Sequence, residues 1–187
     1  MAVIGFWLAG LWALFPVYWL ASAMRAKRNV AHSSQQRGAV VRLLVVAAAI
    51  LLWHQAIVVS RASLLVGGGP LLAIGGVLLT ALGIAFAIWA RWHLGRNWGM
   101  PMAHKENPDL VTSGPYRLIR HPIYSGLLLA LAGTMLATSW WLLGLLGLVA
   151  AYFVYSAVME ERMMTRLFPQ TYPAYQARSQ MLVPFVF

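Results

Sequence analysis

The chain has 187 residues, of which 61% are hydrophobic and only 10% are charged, and its net charge is +10. A soluble domain carries about 25% charged residues, so there is too little polar surface here to cover a water-soluble body. The cations fall in short clusters between apolar runs, a pattern that argues against nucleic acid and for loops beside anionic lipid. The absence of cysteine excludes disulfides, thiolate nucleophiles and Cys-held metals.

Apolar runs near the length needed to cross a hydrocarbon core of about 30 Å predict five spans, over residues 3–24, 40–60, 71–90, 122–138 and 140–159. No cation precedes the first run, while Arg25, Lys27 and Arg28 follow it. It therefore reads as an anchor with its amino terminus outside, not as a signal peptide. Inside the second run, His54 and Gln55 read first as partners of an interhelical hydrogen bond, and His54 only second as a site residue. Arg61 is the one cation between the second and third runs, beside the turn-forming "GGGP". Gly75, Gly83, Gly133, Gly144 and Gly147 read as positions of close helix packing.

The long connection over residues 91–121 carries Arg91, Arg96, Lys105, Arg117 and Arg120. Its length marks it as functional, and Asn97, Trp98, Met100 and Met102 give residues 93–112 the look of a lid. No cation separates the fourth and fifth runs, and Arg162, Arg166 and Arg178 follow the fifth. Rich and poor loops alternate, which places the carboxyl terminus in the cytoplasm. Trp7, Trp19, Trp89, Trp92, Trp140 and Trp141 fall near span ends, where interfacial tryptophans belong. The expected architecture is one all-α membrane domain over residues 1–187, with five transmembrane helices and a short cytoplasmic C-terminal helix.

The polar chemistry gathers on the cytoplasmic side: Glu106, Asp109, Glu160 and Glu161, with His93, His104 and His121. From a turn near Ser139, His121 lies 18 residues back and Glu161 22 residues on. At 1.5 Å per residue the two come within roughly 6 Å of the same depth. Taken alone, "RHP" is a helix start, with Pro122 in the first turn and Arg117 and Arg120 near lipid phosphates. Two adjacent carboxylates at that level, however, require a cationic partner. The histidines show no metal-ligand spacing, and neither a GxGxxG fingerprint nor a phosphate loop is present.

"PDLVTSGPYRLIRHPIY", followed after a hairpin by "EERMMTRLFPQTYPAYQ", resembles the membrane methyltransferases of the isoprenylcysteine carboxyl methyltransferase group. The related phospholipid N-methyltransferases share a weaker form of it. The resemblance covers roughly residues 92–187. It implies an S-adenosylmethionine-dependent enzyme that methylates a lipophilic, membrane-embedded or lipidated acceptor and releases S-adenosylhomocysteine. It also implies that Leu110, Val111, Tyr116, His121, Pro122 and Tyr124 line the cofactor pocket and that Glu160 binds the cofactor, with the 160–187 segment contributing to the site. Arg120 stands near the expected place of the cofactor carboxylate. An amine acceptor would need a base, and His121 or Glu161 is the catalytic candidate. Two departures mark the substrate side. Pro108 and Asp109 replace a histidine before Leu110-Val111, and Ser156 stands where isoprenylcysteine enzymes carry a substrate-recognising arginine. Alternatives are phospholipid N-methylation, a sterol-type NADPH-dependent membrane reductase, and a non-catalytic membrane factor.

Overall fold

The computed structural model describes residues 2–23, 69–97, 109–138 and 143–183. The expected second span with His54, most of the expected lid, and the turn near Ser139 lie outside the described residues. Among the described residues there are five α-helices, here α1 (Ala2–Ala23), α2 (Gly69–Leu94), α3 (Pro122–Thr138), α4 (Leu143–Leu167) and α5 (Tyr172–Ala177), with 3-10 turns at Gly95–Asn97 and Gly114–Arg117. There is no strand among them; the lone bridge pairs Ile119 with Gln180.

Helices are the expected outcome of this composition, because backbone polar groups in hydrocarbon must be satisfied within their own segment. α1, α2 and α4 are long and apolar enough to cross a membrane. α3 is apolar too and, at 17 residues, stands at the short end of the crossing range. The protein is thus an all-α integral membrane protein. Pro16 sits inside α1; prolines are tolerated in membrane helices where neighbouring groups can satisfy the freed carbonyl.

The tightest packing is between α2 and α3, which run antiparallel. It is built on small residues: Gly76, Thr80, Gly83, Ala87 and Ala90 of α2 face Gly126, Ala130, Gly133, Thr134 and Ala137 of α3, all buried. A Cβ on Gly133 would meet the Thr80 N at 2.5 Å and the Gly76 O at 2.6 Å, and one on Gly126 would meet the Gly83 O at 2.7 Å. Only glycine permits backbones this close. Of the glycines expected to pack, Gly83 and Gly133 do so, while Gly75, Gly144 and Gly147 meet no described residue. Gly76 and Gly126 complete the seam. Inside it, the Thr80 hydroxyl bonds the Ala130 O at 3.2 Å and lies 3.2 Å from the Thr134 Oγ1, which also accepts from the Trp12 Nε1 of α1 at 3.0 Å. Three helices are thereby tied by side chains that have no water to turn to.

α4 packs on α3 through Met135, Leu145 and Val149, with Leu128, Leu131 and Phe153 around them. Two boundaries differ from the hydropathy reading. α2 runs on to Leu94, so Arg91 belongs to a helix and not to the long connection. α4 runs on to Leu167, so Glu160 and Glu161 lie within a helix and not at its end. Hydropathy marks where apolar side chains stop, whereas a helix continues for as long as its residues favour it, and "EERMMTRL" contains no breaker.

Candidate active site

Arg91 sets the level at which the site is built. It is 2% exposed. Its Nη1 donates to the Gly95 O at 2.7 Å and its Nη2 to the Ser22 O at 3.0 Å. These are carbonyls at the C-terminal ends of α2 and α1, which lack intrahelical partners and carry partial negative charge. One guanidinium therefore caps two helices and holds their ends together. Gly95, at φ 52, supplies the left-handed residue that ends α2.

The connection returns at Asp109, whose N–H donates to the Asn97 Oδ1 at 3.2 Å. Leu110 and Val111 follow, half-buried and outside the hydrogen-bonded cluster described next. Gly114 then turns the chain at φ 58, and the His93 ring fills the place where its Cβ would be. A side chain at Gly114 would meet strain and collision together. The turn buries Tyr116, and burial first, then the neighbouring Tyr175 and Glu160, push its phenol well above the ordinary range. The Tyr175 hydroxyl, pushed up to about 12 chiefly by burial, donates to the Tyr116 O at 2.6 Å.

Pro122 opens α3 at its first position, where no N–H is needed. The amides just before it are not free. The Arg120 N–H donates to the Gln180 O at 2.8 Å and the His121 N–H to the Met181 O at 3.1 Å, while the Gln180 N–H returns a bond to the Leu118 O at 2.9 Å. The C-terminal segment thus lies along the approach to α3 and occupies the amides of Arg120 and His121.

α4 delivers two carboxylates to this level, and they differ. Glu161 is enclosed: its Oε1 accepts from the Arg120 Nε at 2.6 Å and its Oε2 from the Gln176 Nε2 at 2.8 Å. Arg120 is the cationic partner that adjacent carboxylates require, and its Nη1 also donates to the Ser179 and Gln176 carbonyls. Glu160 is more open, with 22% of its side chain exposed against 8% for Glu161. Its Oε1 accepts from the Tyr124 hydroxyl at 2.7 Å, and its Oε2 lies 3.4 Å from the His121 Nδ1.

His121 joins the two. Its Nε2 lies 3.3 Å from the Glu161 Oε1, at ion-pair distance but outside hydrogen-bond geometry. Burial works to lower the imidazole pKa, yet the carboxylates of Glu160 and Glu161 beside its two nitrogens together outweigh it and the pKa is raised. The ring stacks on Tyr124 at 5.5 Å and 6°, and Tyr124 stacks on Phe153 at 4.6 Å and 12°. One further buried polar group, the Ser156 Oγ, has no hydrogen-bond partner among the described residues. Ser156 sits one turn before Glu160 on the same face of α4.

The structure therefore gathers Tyr116, Arg120, His121, Pro122, Tyr124, Glu160 and Glu161 at one level. Four participants escape the sequence reading. Phe153 had a usable signal, being two turns before Glu160 on the same face of α4. Arg91, Gln176 and Ser179 had none, because their partners are backbone carbonyls or residues of another element.

Two comparisons bear on this arrangement. A family model described as phospholipid methyltransferase matches residues 71–171, which takes in nearly all of α2, the whole of α3 and α4, and the cluster residues from Tyr116 to Glu161, but not Gln176 and Ser179. The solved structure of the eukaryotic intramembrane Ras methyltransferase ICMT (isoprenylcysteine carboxyl methyltransferase) matches with a TM-score of 0.62 and 23% identity, over 84% of this chain and 55% of that one. The chain thus spans about half the length of that protein, and the likeness is one of fold. No match was found among curated proteins. With its family model covering more than half of its length, including both glutamates and His121, the chain belongs to the phospholipid methyltransferase family.

Proposed function

We propose that the protein transfers the methyl group of S-adenosylmethionine to a lipophilic acceptor held in the bilayer. The observation that carries this is the unequal pair at the end of the α3–α4 hairpin: Glu161 is enclosed by its own chain, while Glu160 keeps an open face. A carboxylate held in place and still accessible is a receptor for a cation, and each of its oxygens can accept a second bond.

The residues fit the donor molecule. S-adenosylmethionine, when bound, supplies a methyl carbon activated by its sulfonium, together with an ammonium, a ribose diol and an adenine. Glu160 accepts from the ammonium or from a ribose hydroxyl. Tyr116, Tyr124 and Phe153 offer aromatic faces, which favour cations and flat rings. Leu110, Val111 and Pro122 supply apolar walls. Arg120 acts by positioning Glu161. His121 has a carboxylate beside each ring nitrogen, which favours its imidazolium form and suits it less to the role of a base. Orientation of the acceptor, more than proton transfer, is then this chain's contribution. Acceptors with no proton to lose suit such a site best.

The same reading bears on the topology. Arg91 binds the C-terminal ends of α1 and α2 at one level, so these helices run parallel, which supports the expected span over residues 40–60 between them. Five spans, with the amino terminus outside and the site in the cytoplasm, agree with this and with the loop charges.

Calorimetry of the detergent-purified protein with S-adenosylhomocysteine tests the proposal. Binding is expected, together with a loss of about tenfold or more for Glu160→Ala, the size of one charge-assisted bond. Folded protein that ignores millimolar S-adenosylhomocysteine but binds NADPH would establish the reductase alternative instead.

A further inference from the structure

Gln176 lies on α5, within the 160–187 segment expected to contribute to the site but not among the residues expected to line it, and among the described residues its side chain makes one hydrogen bond. Its Nε2 donates to the Glu161 Oε2 at 2.8 Å. The opposite oxygen of that carboxylate is held by Arg120 at 2.6 Å and approached by His121 at 3.3 Å. With both oxygens engaged, Glu161 cannot rotate, and a fixed Glu161 fixes the edge of the His121 ring that faces it. That ring in turn stacks on Tyr124 and addresses Glu160 through Nδ1.

A continuous path of contacts therefore runs from α5 through Glu161 and His121 to the open carboxylate. α5 is itself anchored. Its Tyr172 and Tyr175 are buried, and the Tyr175 hydroxyl holds the Tyr116 carbonyl. The segment after it lies along the approach to α3. We propose that Gln176 is a positioning residue of the site: by bonding Glu161 it orients His121, and so presents Glu160 to the methyl donor.

This rests on the reading of Glu160 as a donor-binding group, and the experiment separates the two. The groups that face Glu161 are Arg120 and His121 from the start of α3, Glu160 beside it on α4, and Gln176, Tyr172 and Tyr175 from α5. None but Glu160 adds negative charge. Gln176→Glu keeps the shape of the side chain but sets a second carboxylate against Glu161. Close carboxylates cannot both ionise without cost, so one of them takes up a proton at a higher pH than usual.

Binding of S-adenosylhomocysteine to the full-length protein, followed by calorimetry, is expected to weaken about tenfold in Gln176→Glu at about pH 8 and to recover most of that loss at about pH 5.5. Gln176→Ala, which removes the donor and adds no charge, is expected to weaken binding less and equally at both pH values. Ligand-free melting curves identify the variants that fold. A Gln176→Glu loss of the same size at both pH values would reduce the residue to a structural role and overturn the proposal, as would wild-type affinity at both. If instead the wild type fails to bind, or Glu160→Gln binds as well as wild type, it is the donor-site reading that falls.

Discussion

At the scale of the residue, the site is a contest for carboxylate oxygens. Two glutamates adjacent in sequence end in different environments because one helical step turns them by about 100° around the axis. Glu161 faces Arg120 and Gln176, whereas Glu160 faces the tyrosine and the opening. His121 between them should leave a signature in the pH dependence of stability. Its pKa is raised in the folded protein, so its contribution is fully present below the ordinary value of about 6.5 and is lost as the pH rises through the folded value. The difference in melting temperature between wild type and His121→Gln should therefore shrink on going from mildly acidic to alkaline buffer. A difference that grew with pH would contradict an imidazolium held by two carboxylates.

At the scale of the element, the α2–α3 seam is the rigid wall from which the site hangs. It places Arg91 at the end of one helix and His121 before the start of the other. Its closeness is a steric fact, since a side chain at Gly133 would collide with the Thr80 and Gly76 backbone. Gly133→Ala should thus destabilise the fold by about 1–3 kcal/mol, the usual cost of overpacking. Gly147→Ala, where an added Cβ would have no described atom within 4 Å, should be neutral or slightly stabilising through better helix propensity. Equal effects in unfolding measurements in mixed micelles would show that the seam is not where the bundle is tightest.

At the scale of the whole molecule, the C-terminal ends of α1, α2 and α4 and the start of α3 converge, and the polar groups converge with them. Under the proposed function, such a polar end gives a water-borne donor and a bilayer-borne acceptor a common meeting level. It also makes topology testable. A reporter fused after Phe187 should read cytoplasmic, and one inserted among residues 61–68 should read external. A cytoplasmic signal from both positions would remove one crossing.

Part of this was legible in the chain. Apolar run lengths determined membrane helices, because hydrocarbon leaves the backbone no other way to satisfy its hydrogen bonds. Counting through the hairpin placed His121 level with Glu161, because helical rise is constant, and "GPYRLIRHPIY" with "EER" pointed to the family. Helix ends were less legible: α2 and α4 outlast their hydropathy, since helix formation does not depend on side-chain apolarity. Only the tertiary structure decided which glutamate is enclosed and which is open, that Arg91 caps two helices and that Gln176 reaches Glu161. Apart from the Arg91–Gly95 bond, four positions apart, these contacts join residues 15 to 69 positions apart. Their partners are carbonyls or side chains with no fixed spacing, so no local pattern announces them.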